Sequence, residues 1–416
     1  MKEDKFLCAS CEHSFIENHK QIDDVVCVSS MSQEYLSEKI FCRECGQEIK
    51  VFDGSEEINL FLSAVGNKNL KVVAYTAPSI RTSLAEAFGL KAGSDQTARM
   101  VEALKLLGAD FVFDMNFAAD LTTVEEATEF ILRLKEGKNL PMFTSCCPAW
   151  VSFVERAYPS LKGNLSTCKS PQQMFGAILN NYFAKKLGID NTELFVVSVV
   201  PCVAKKLERK KQSLNTTKGF DVDCTLTTLD LINLIKMKNI DFAGLAGCEY
   251  DNEFNLSSGA GIIFGNSGGV MEAIISSASK KDKEFETKSA VFDLIRGKSG
   301  VRECEFQAFG KMVKIACVSG LSNAKKLLED VKNGTSPYSF IEVMACDGGC
   351  VGGGGQPLAQ NRAKQVNLRA KGLYNRAKHS LYKSSFDNPA IIKLYENFLG
   401  EYGGPLAQKL LHVKRT

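Results

Sequence analysis

The 416-residue chain holds no apolar run near the roughly 20 residues that cross a bilayer, which excludes a membrane-spanning helix. It has no low-complexity segment and no internal repeat. An excess of one charge is also missing. Lys and Arg number 51 against 48 Asp and Glu, so nothing asks for a nucleic acid or a membrane surface as partner. The first residues, MKEDKFLCASCEHSF, have neither the apolar core of a signal peptide nor a transit-peptide pattern. The cytoplasm is therefore the expected compartment. Apolar residues at 44% and charged residues at 24% sit near the globular average, which excludes a disordered or collagen-like chain. Histidine (four) and tryptophan (one) are scarce, whereas cysteines number 15. In a reducing compartment these do not build a disulfide framework. Grouped cysteines there read as metal or redox chemistry.

Residues 1–66 are polar, Cys-rich and weakly periodic; from 67 on, strands alternate with helices. Apolar β-branched runs mark strands at 70–76, 109–115, 141–145, 194–200, 314–320 and 340–346. Helical periodicity covers 124–137, 171–188, 228–240, 268–280 and 321–334, and the basic tail beyond 357 reads as helical. This alternation predicts an α/β fold with parallel sheets flanked by helices. Three strands run straight into cysteine motifs, and ligands in such sheets bind beyond the carboxyl ends of strands. The motifs are therefore expected to converge.

The motifs are FTSCCPAW (143–150), VVPCVAKKLE (199–208) and EVMACDGGCVGGGGQP (342–357). Cys147, Cys202, Cys346 and Cys350 together supply four thiolates, the set that holds a [4Fe–4S] cluster or a zinc ion. The glycines of the third motif let backbone approach a bulky ligand. Isolated Cys168, Cys224, Cys248, Cys304 and Cys317 read as buried packing residues.

These three segments resemble the signature motifs of [FeFe] hydrogenases. TAPSIRTSLAEAFG (76–89), FDMNFAADLTTVEEATEF (113–130), NLSTCKSPQQMFG (164–176), GAGIIFGNSGGVMEA (259–273) and LYENFLG (394–400) extend the resemblance over roughly residues 67–416. The resemblance implies two lobes with an H-cluster between them. Cys147, Cys202, Cys346 and Cys350 would hold its [4Fe–4S] part. Cys350 would bridge to a two-iron subcluster carrying CO, cyanide and azadithiolate. Lys205 and Ser79 would donate to the cyanides. Ala77, Pro78, Gln172, Phe264 and Met344 would shape a dry pocket. Cys146 would exchange protons with the azadithiolate, followed in order by Glu129, Ser166 and Glu126, with Arg133 holding Glu129. A ferredoxin-like electron carrier and H-cluster maturation proteins are the implied partners. The implied reaction is 2H⁺ + 2e⁻ ⇌ H₂.

Two Cys-x-x-Cys knuckles, Cys8/Cys11 and Cys42/Cys45, point to a second metal centre in residues 1–66, zinc or [4Fe–4S]. Cys27, His13 and His19 are spare ligand types beside it. The Cys-x-x-Cys-x-x-Cys run of a bacterial ferredoxin module is absent. Val200, Asp347, Ala149 and the pair Thr167–Cys168 also depart from the family's usual residues, without removing a ligand. Two rivals share the cubane cysteines: an iron–sulfur assembly or scaffold protein, and a hydrogen sensor. Cys146, Lys205, Glu129 and Ser166 together favour the enzyme.

Overall fold

The computed structural model describes residues 54–416, less 217–218, 287–289, 297–299, 359 and 416. It also describes four short strands before them: β1 (Lys5–Leu7), β2 (Ser14–Ile16), β3 (Ile40–Phe41) and β4 (Glu48–Ile49). β1 pairs with β2 and β3 with β4, both antiparallel. Cys8, Cys11, Cys42 and Cys45, and the metal centre expected of them, lie outside the described residues, as do Cys27, His13 and His19.

Helix α1 (Gly54–Gly66) follows. It does not belong with the Cys-rich segment, as the boundary at 66/67 has it. Ile58, Phe61 and Ala64 join the main hydrophobic core. Buried Glu57 accepts from Arg209 Nη2 at 2.6 Å and from the Thr225 N–H at 2.8 Å. The boundary moves to before residue 54, because a helix this deeply packed cannot be parted from its core.

One lobe is built on β5 (Lys71–Thr76), β6 (Phe111–Asp114), β8 (Leu194–Val200) and β9 (Cys224–Thr227), all parallel in the order β6-β5-β8-β9. Their near-continuous apolar sequences suit a sheet covered on both faces. The other lobe is built on β7 (Met142–Phe143), β10 (Phe285–Glu286), β11 (Val301–Ala308), β12 (Lys311–Ser319) and β13 (Phe340–Met344), in the order β10-β11-β12-β13-β7. β12, β13 and β7 run parallel; β11 and β10 add an antiparallel edge. The sequence reading assigns no strand to 301–308. There buried residues alternate with exposed ones, and Phe309 and Gly310 turn the chain at φ 52° and 67°. Positive φ at both turn residues is the geometry of a tight hairpin.

Helix α2 (Met115–Glu136) joins the lobes. Asp114 caps it by accepting from the Asn116 N–H, and Gly137 ends it at φ 66°. Phe117, Ala118, Leu121 and Val124 lie in the core of the parallel lobe, while Ala119, Ala127, Phe130 and Ile131 lie in that of the mixed lobe. Its buried positions therefore run round the helix instead of forming one stripe. The residue span 171–188, expected as one helix, is α-helical at Pro171–Ile178 and Ala184–Leu187 with a π-helical turn at Leu179–Phe183 between. The tail carries helices α3 (Arg362–Lys378) and α4 (Pro405–Leu411). It is tied back to the core where Arg369 grips Glu86 and the Val351 carbonyl, and where the Val413 N–H donates to the Thr167 carbonyl.

Candidate metal centre and proton route

The three motifs meet where the strands end. β7 and β13 are neighbours in one sheet, so Cys146–Cys147 and Cys346–Cys350 emerge side by side. Cys202 emerges from β8 of the other sheet. Burial first, then the nearby Cys202, pushes the Cys147 thiol up, while the backbone N–H groups of Ala345 and Trp150 pull the other way. Cys350 is pushed up to about 12, by burial first and then by Cys147 and Cys202. Cys147, Cys202 and Cys350 thus lie close enough to act on one another electrostatically, and Cys346 stands four residues back in the same loop. They are not gathered as for a single ion. Among the described residues, the one set of three His, Cys, Asp or Glu ligand atoms within 4.8 Å of one another is elsewhere. A tetrathiolate zinc with bonds of about 2.3 Å would need sulfurs about 3.8 Å apart. The donor set therefore suits a polynuclear iron–sulfur group better than zinc.

Close approach explains the glycines, though of backbone to backbone. A Cβ on Gly353 would stand 2.3 Å from the Pro201 carbonyl oxygen, and one on Gly349 2.5 Å from the Ser267 nitrogen. Contact with Pro201 is what draws the Cys350 loop against the end of β8.

Ser79 follows β5. It is fully buried, its hydroxyl has no hydrogen-bond partner, and it packs against Gly265 just after Phe264. Ala77, Pro78, Phe264 and Met344 are buried, as expected of pocket walls. An orphan hydroxyl among apolar walls fits a ligand that accepts a hydrogen bond. Lys205 is held from below. Its Nζ donates to the Cys146 carbonyl at 3.0 Å and to Glu208 Oε2 at 2.8 Å. Burial opposes its charge, but Glu208 outweighs burial and holds the ammonium above its ordinary value. Glu208 was missed in the sequence; its place three after Lys205 was the available signal. Gln172 is less a wall than a strut. Its amide donates to the Lys205 carbonyl and to Glu208, both at 3.2 Å, and its oxygen accepts from Ser198 at 2.8 Å.

Behind Cys146 lie the carboxyls. Burial first, then Glu126, Cys147 and Cys350, push the Cys146 thiol well up. Glu126 is fully buried and neither oxygen completes a hydrogen bond, although Ser166 and the Ser145 N–H approach it. Burial, then the charge of Glu129, raises it to about 8. Glu129 differs. Burial works against its charge, yet Arg133 and the Thr167 N–H hold it below the usual carboxylate range. Its oxygens also take Ser166 Oγ at 2.8 Å and Arg133 Nη2 at 2.7 Å. The expected order thus needs correcting: Glu126 is the carboxyl that faces Cys146, and Glu129 lies beyond Ser166. The i,i+4 grip of Arg133 keeps Glu129 on the outer side.

Such a constellation defines an α/β protein in which cysteine thiols from both sheets converge at the strand ends with a buried acid chain leading to them. Residues 70–354 match the family described as iron only hydrogenase large subunit, C-terminal domain, and residues 363–414 match the iron hydrogenase small subunit. The chain belongs to the iron-only hydrogenase large-subunit family. It is 41% identical to the NADP-reducing hydrogenase subunit HndD of Solidesulfovibrio fructosivorans, over 89% of this chain and 65% of that protein. It is 40% identical to iron hydrogenase 1 of Clostridium pasteurianum, over 82% of this chain and 60% of that one. It therefore spans less than two thirds of either relative's length. The solved [FeFe]-hydrogenase HydA1 from Chlamydomonas reinhardtii superposes with TM-score 0.76 at 33% identity, over 86% of this chain and 98% of that chain. A cytosolic Fe-S cluster assembly factor of Danio rerio, narfl, is 30% identical over 82% of this chain and 85% of that protein.

Proposed function

We propose that this chain is an [FeFe] hydrogenase catalysing 2H⁺ + 2e⁻ ⇌ H₂. The observation that carries the reading is Glu126, a buried carboxyl without a completed hydrogen bond, facing Cys146 on one side and Ser166 and Glu129 on the other. A scaffold gains nothing from such a group; burying an unpaired carboxyl costs stability. Cys147, Cys202, Cys346 and Cys350 would hold the [4Fe–4S] part of an H-cluster, Cys350 bridging to its two-iron part. When bound, that group would relay electrons from the external carrier and supply the hydrogen-forming chemistry.

The chain supplies position, dryness and protons. Lys205, fixed by Glu208, offers N–H donors to an anionic ligand, and the unpaired Ser79 hydroxyl offers another. Near neutral pH both Cys146 and Glu126 hold their protons, and Glu126 would pass its own to Cys146 once that thiol has given its proton up toward the bound group. Glu129, a carboxylate at rest, would take a proton from solvent beside Arg133, and Ser166 would receive it while handing its own to Glu126.

The N-terminal segment, now 1–53, would bind a metal through Cys8, Cys11, Cys42 and Cys45. Each knuckle falls in sequence between the two strands of an antiparallel pair, which supports a ribbon-like metal site. It would admit electrons from a ferredoxin-like carrier. Among the described residues no helix is long and apolar enough to cross a membrane, and a cytoplasmic place fits the thiol-rich composition.

Similarity to the assembly factor favours a second reading, an iron–sulfur scaffold. Infrared spectra of anaerobically matured protein, beside H₂ evolution, separate the two. Bands of metal-bound CO and cyanide with turnover are expected; a full iron complement without those bands overturns the hydrogenase reading.

A further inference from the structure

Cys168 has no motif around it, and packing was all its sequence context suggested. Its buried sulfur lies 3.7 Å from Glu129 Oε2 and 3.9 Å from His412 Nδ1. With one atom from each residue, all three lie within 4.8 Å of one another. In tetrahedral zinc, bonds of about 2.3 Å to sulfur and about 2.0–2.2 Å to nitrogen or oxygen put those donors about 3.6 Å apart. The two separations from the sulfur need shifts of only a few tenths of an ångström.

The imidazole is already oriented. His412 Nε2 stands 2.7 Å from Glu125 Oε2, a buried carboxylate that also takes the Tyr395 hydroxyl and the Gly403 N–H. A carboxylate partner assigns the ring proton to Nε2. Nδ1 is then left with a lone pair toward Cys168 and the Thr167 hydroxyl, 2.7 Å away. A carboxylate behind an imidazole is the usual support of a metal-binding histidine. Charge is balanced nearby: the Arg133 guanidinium pairs with Glu129, and that of Arg415 lies close enough to act on both Glu129 and Cys168. Arg133 Nε and Nη2 bind Glu129 Oε1, leaving Oε2 on the side of the sulfur. Partly exposed Thr167 flanks the cluster and offers an entry path.

We propose that Glu129, Cys168 and His412 form a site for one zinc-class divalent cation, and that filling it closes the proton route at Glu129. The second half rests on the function proposed above. Binding exchanges one proton for one metal ion: the Cys168 S–H bond breaks, a sulfur–metal bond forms, and the proton goes to solvent with no change of oxidation state. A thiolate and an imidazole select zinc over magnesium or calcium. With Oε2 on a cation, Glu129 can no longer exchange a proton with Ser166.

The test uses the full chain with its iron–sulfur cluster in place, so that the motif cysteines are occupied. After exposure to zinc chloride and desalting, wild type is expected to keep one more zinc per chain than Cys168→Ala or His412→Gln. Cys317→Ala, which removes a buried thiol outside the set, should match wild type. Zinc should lower wild-type H₂ evolution at least tenfold, reversibly with a chelator. Cys168→Ala, measured against its own metal-free rate, should be insensitive. Equal zinc retention by wild type and both site variants overturns the site whatever the activity does. Extra zinc in wild type with an unchanged rate overturns the closure. A preparation that makes no H₂ counts against the proposed function, while the zinc count still decides the site.

Discussion

The two lobes contribute unequally to the centre. The mixed sheet delivers Cys146, Cys147, Cys346 and Cys350, because β7 and β13 are hydrogen-bonded neighbours and their ends must emerge together. The parallel sheet delivers one candidate ligand, Cys202, but also the polar groups that would act on a bound ligand, Ser79 and Lys205 with Glu208. One lobe holds most of the thiolates and the other most of the donors. Neither is a site alone, and α2, packed into both cores, carries the two carboxyls along their seam. A centre shared across a seam depends on every contact that keeps the lobes in register.

Removing one ligand from either lobe should have the largest effect. Cys202→Ala and Cys350→Ala are both expected to abolish turnover and to lower iron content sharply, by metal analysis of the purified chain. If Cys202→Ala kept its full iron complement, the parallel lobe would be only a wall and the comparison would break.

Glu126→Gln comes next. Gln keeps the shape but cannot ionise, so H₂ evolution should fall roughly 10²–10⁴-fold with iron content unchanged. Glu129→Gln should also slow turnover, and Arg133→Gln less so, since Arg133 positions a carboxylate without carrying its proton. An unchanged rate in Glu126→Gln would leave the buried carboxyl without a task.

Truncation tests the lobe boundary. A chain starting at residue 54 should melt with full cooperativity. One starting at 67 loses Phe61 and leaves Arg209 without Glu57. The aromatic alone is worth about 3–5 kcal/mol. Differential scanning calorimetry of the two chains reads this directly, and equal melting temperatures would restore the boundary at 66/67.

The smallest effect is on the pH dependence of stability. Glu126 titrates at about 8 when folded, against an ordinary value of 4.5. Between those values the native chain holds a proton that the unfolded chain has lost. The contribution of Glu126 is therefore undiminished below about 4.5 and falls as pH rises toward 8. Urea melts across this window should slope less in Glu126→Gln than in wild type; identical slopes would mean that Glu126 is ionised in the fold.

Much of this was legible in the sequence because it is local. Strand 194–200 lies where its apolar β-branched run puts it, and Gly137 ends α2 as its position suggests. The four candidate ligand cysteines stand out because Pro148, Pro201 and the glycines around them mark abrupt strand ends. The strand before the hairpin at 309–310 is written in the sequence too, as apolar Cys304, Phe306 and Ala308 alternating with polar Glu303, Glu305 and Gln307. What tertiary structure alone decided is which groups face each other across long stretches of chain. Glu126 and Glu129 look alike in VEEATE; burial lifts one, and Arg133 with the Thr167 N–H lowers the other. Helix α1 reads as part of the N-terminal segment until Glu57 meets Arg209, and Cys168 is one thiol among many until the tail brings His412 to it. A residue type sets what chemistry is available, but charge state and reach depend on neighbours far along the chain that only folding supplies.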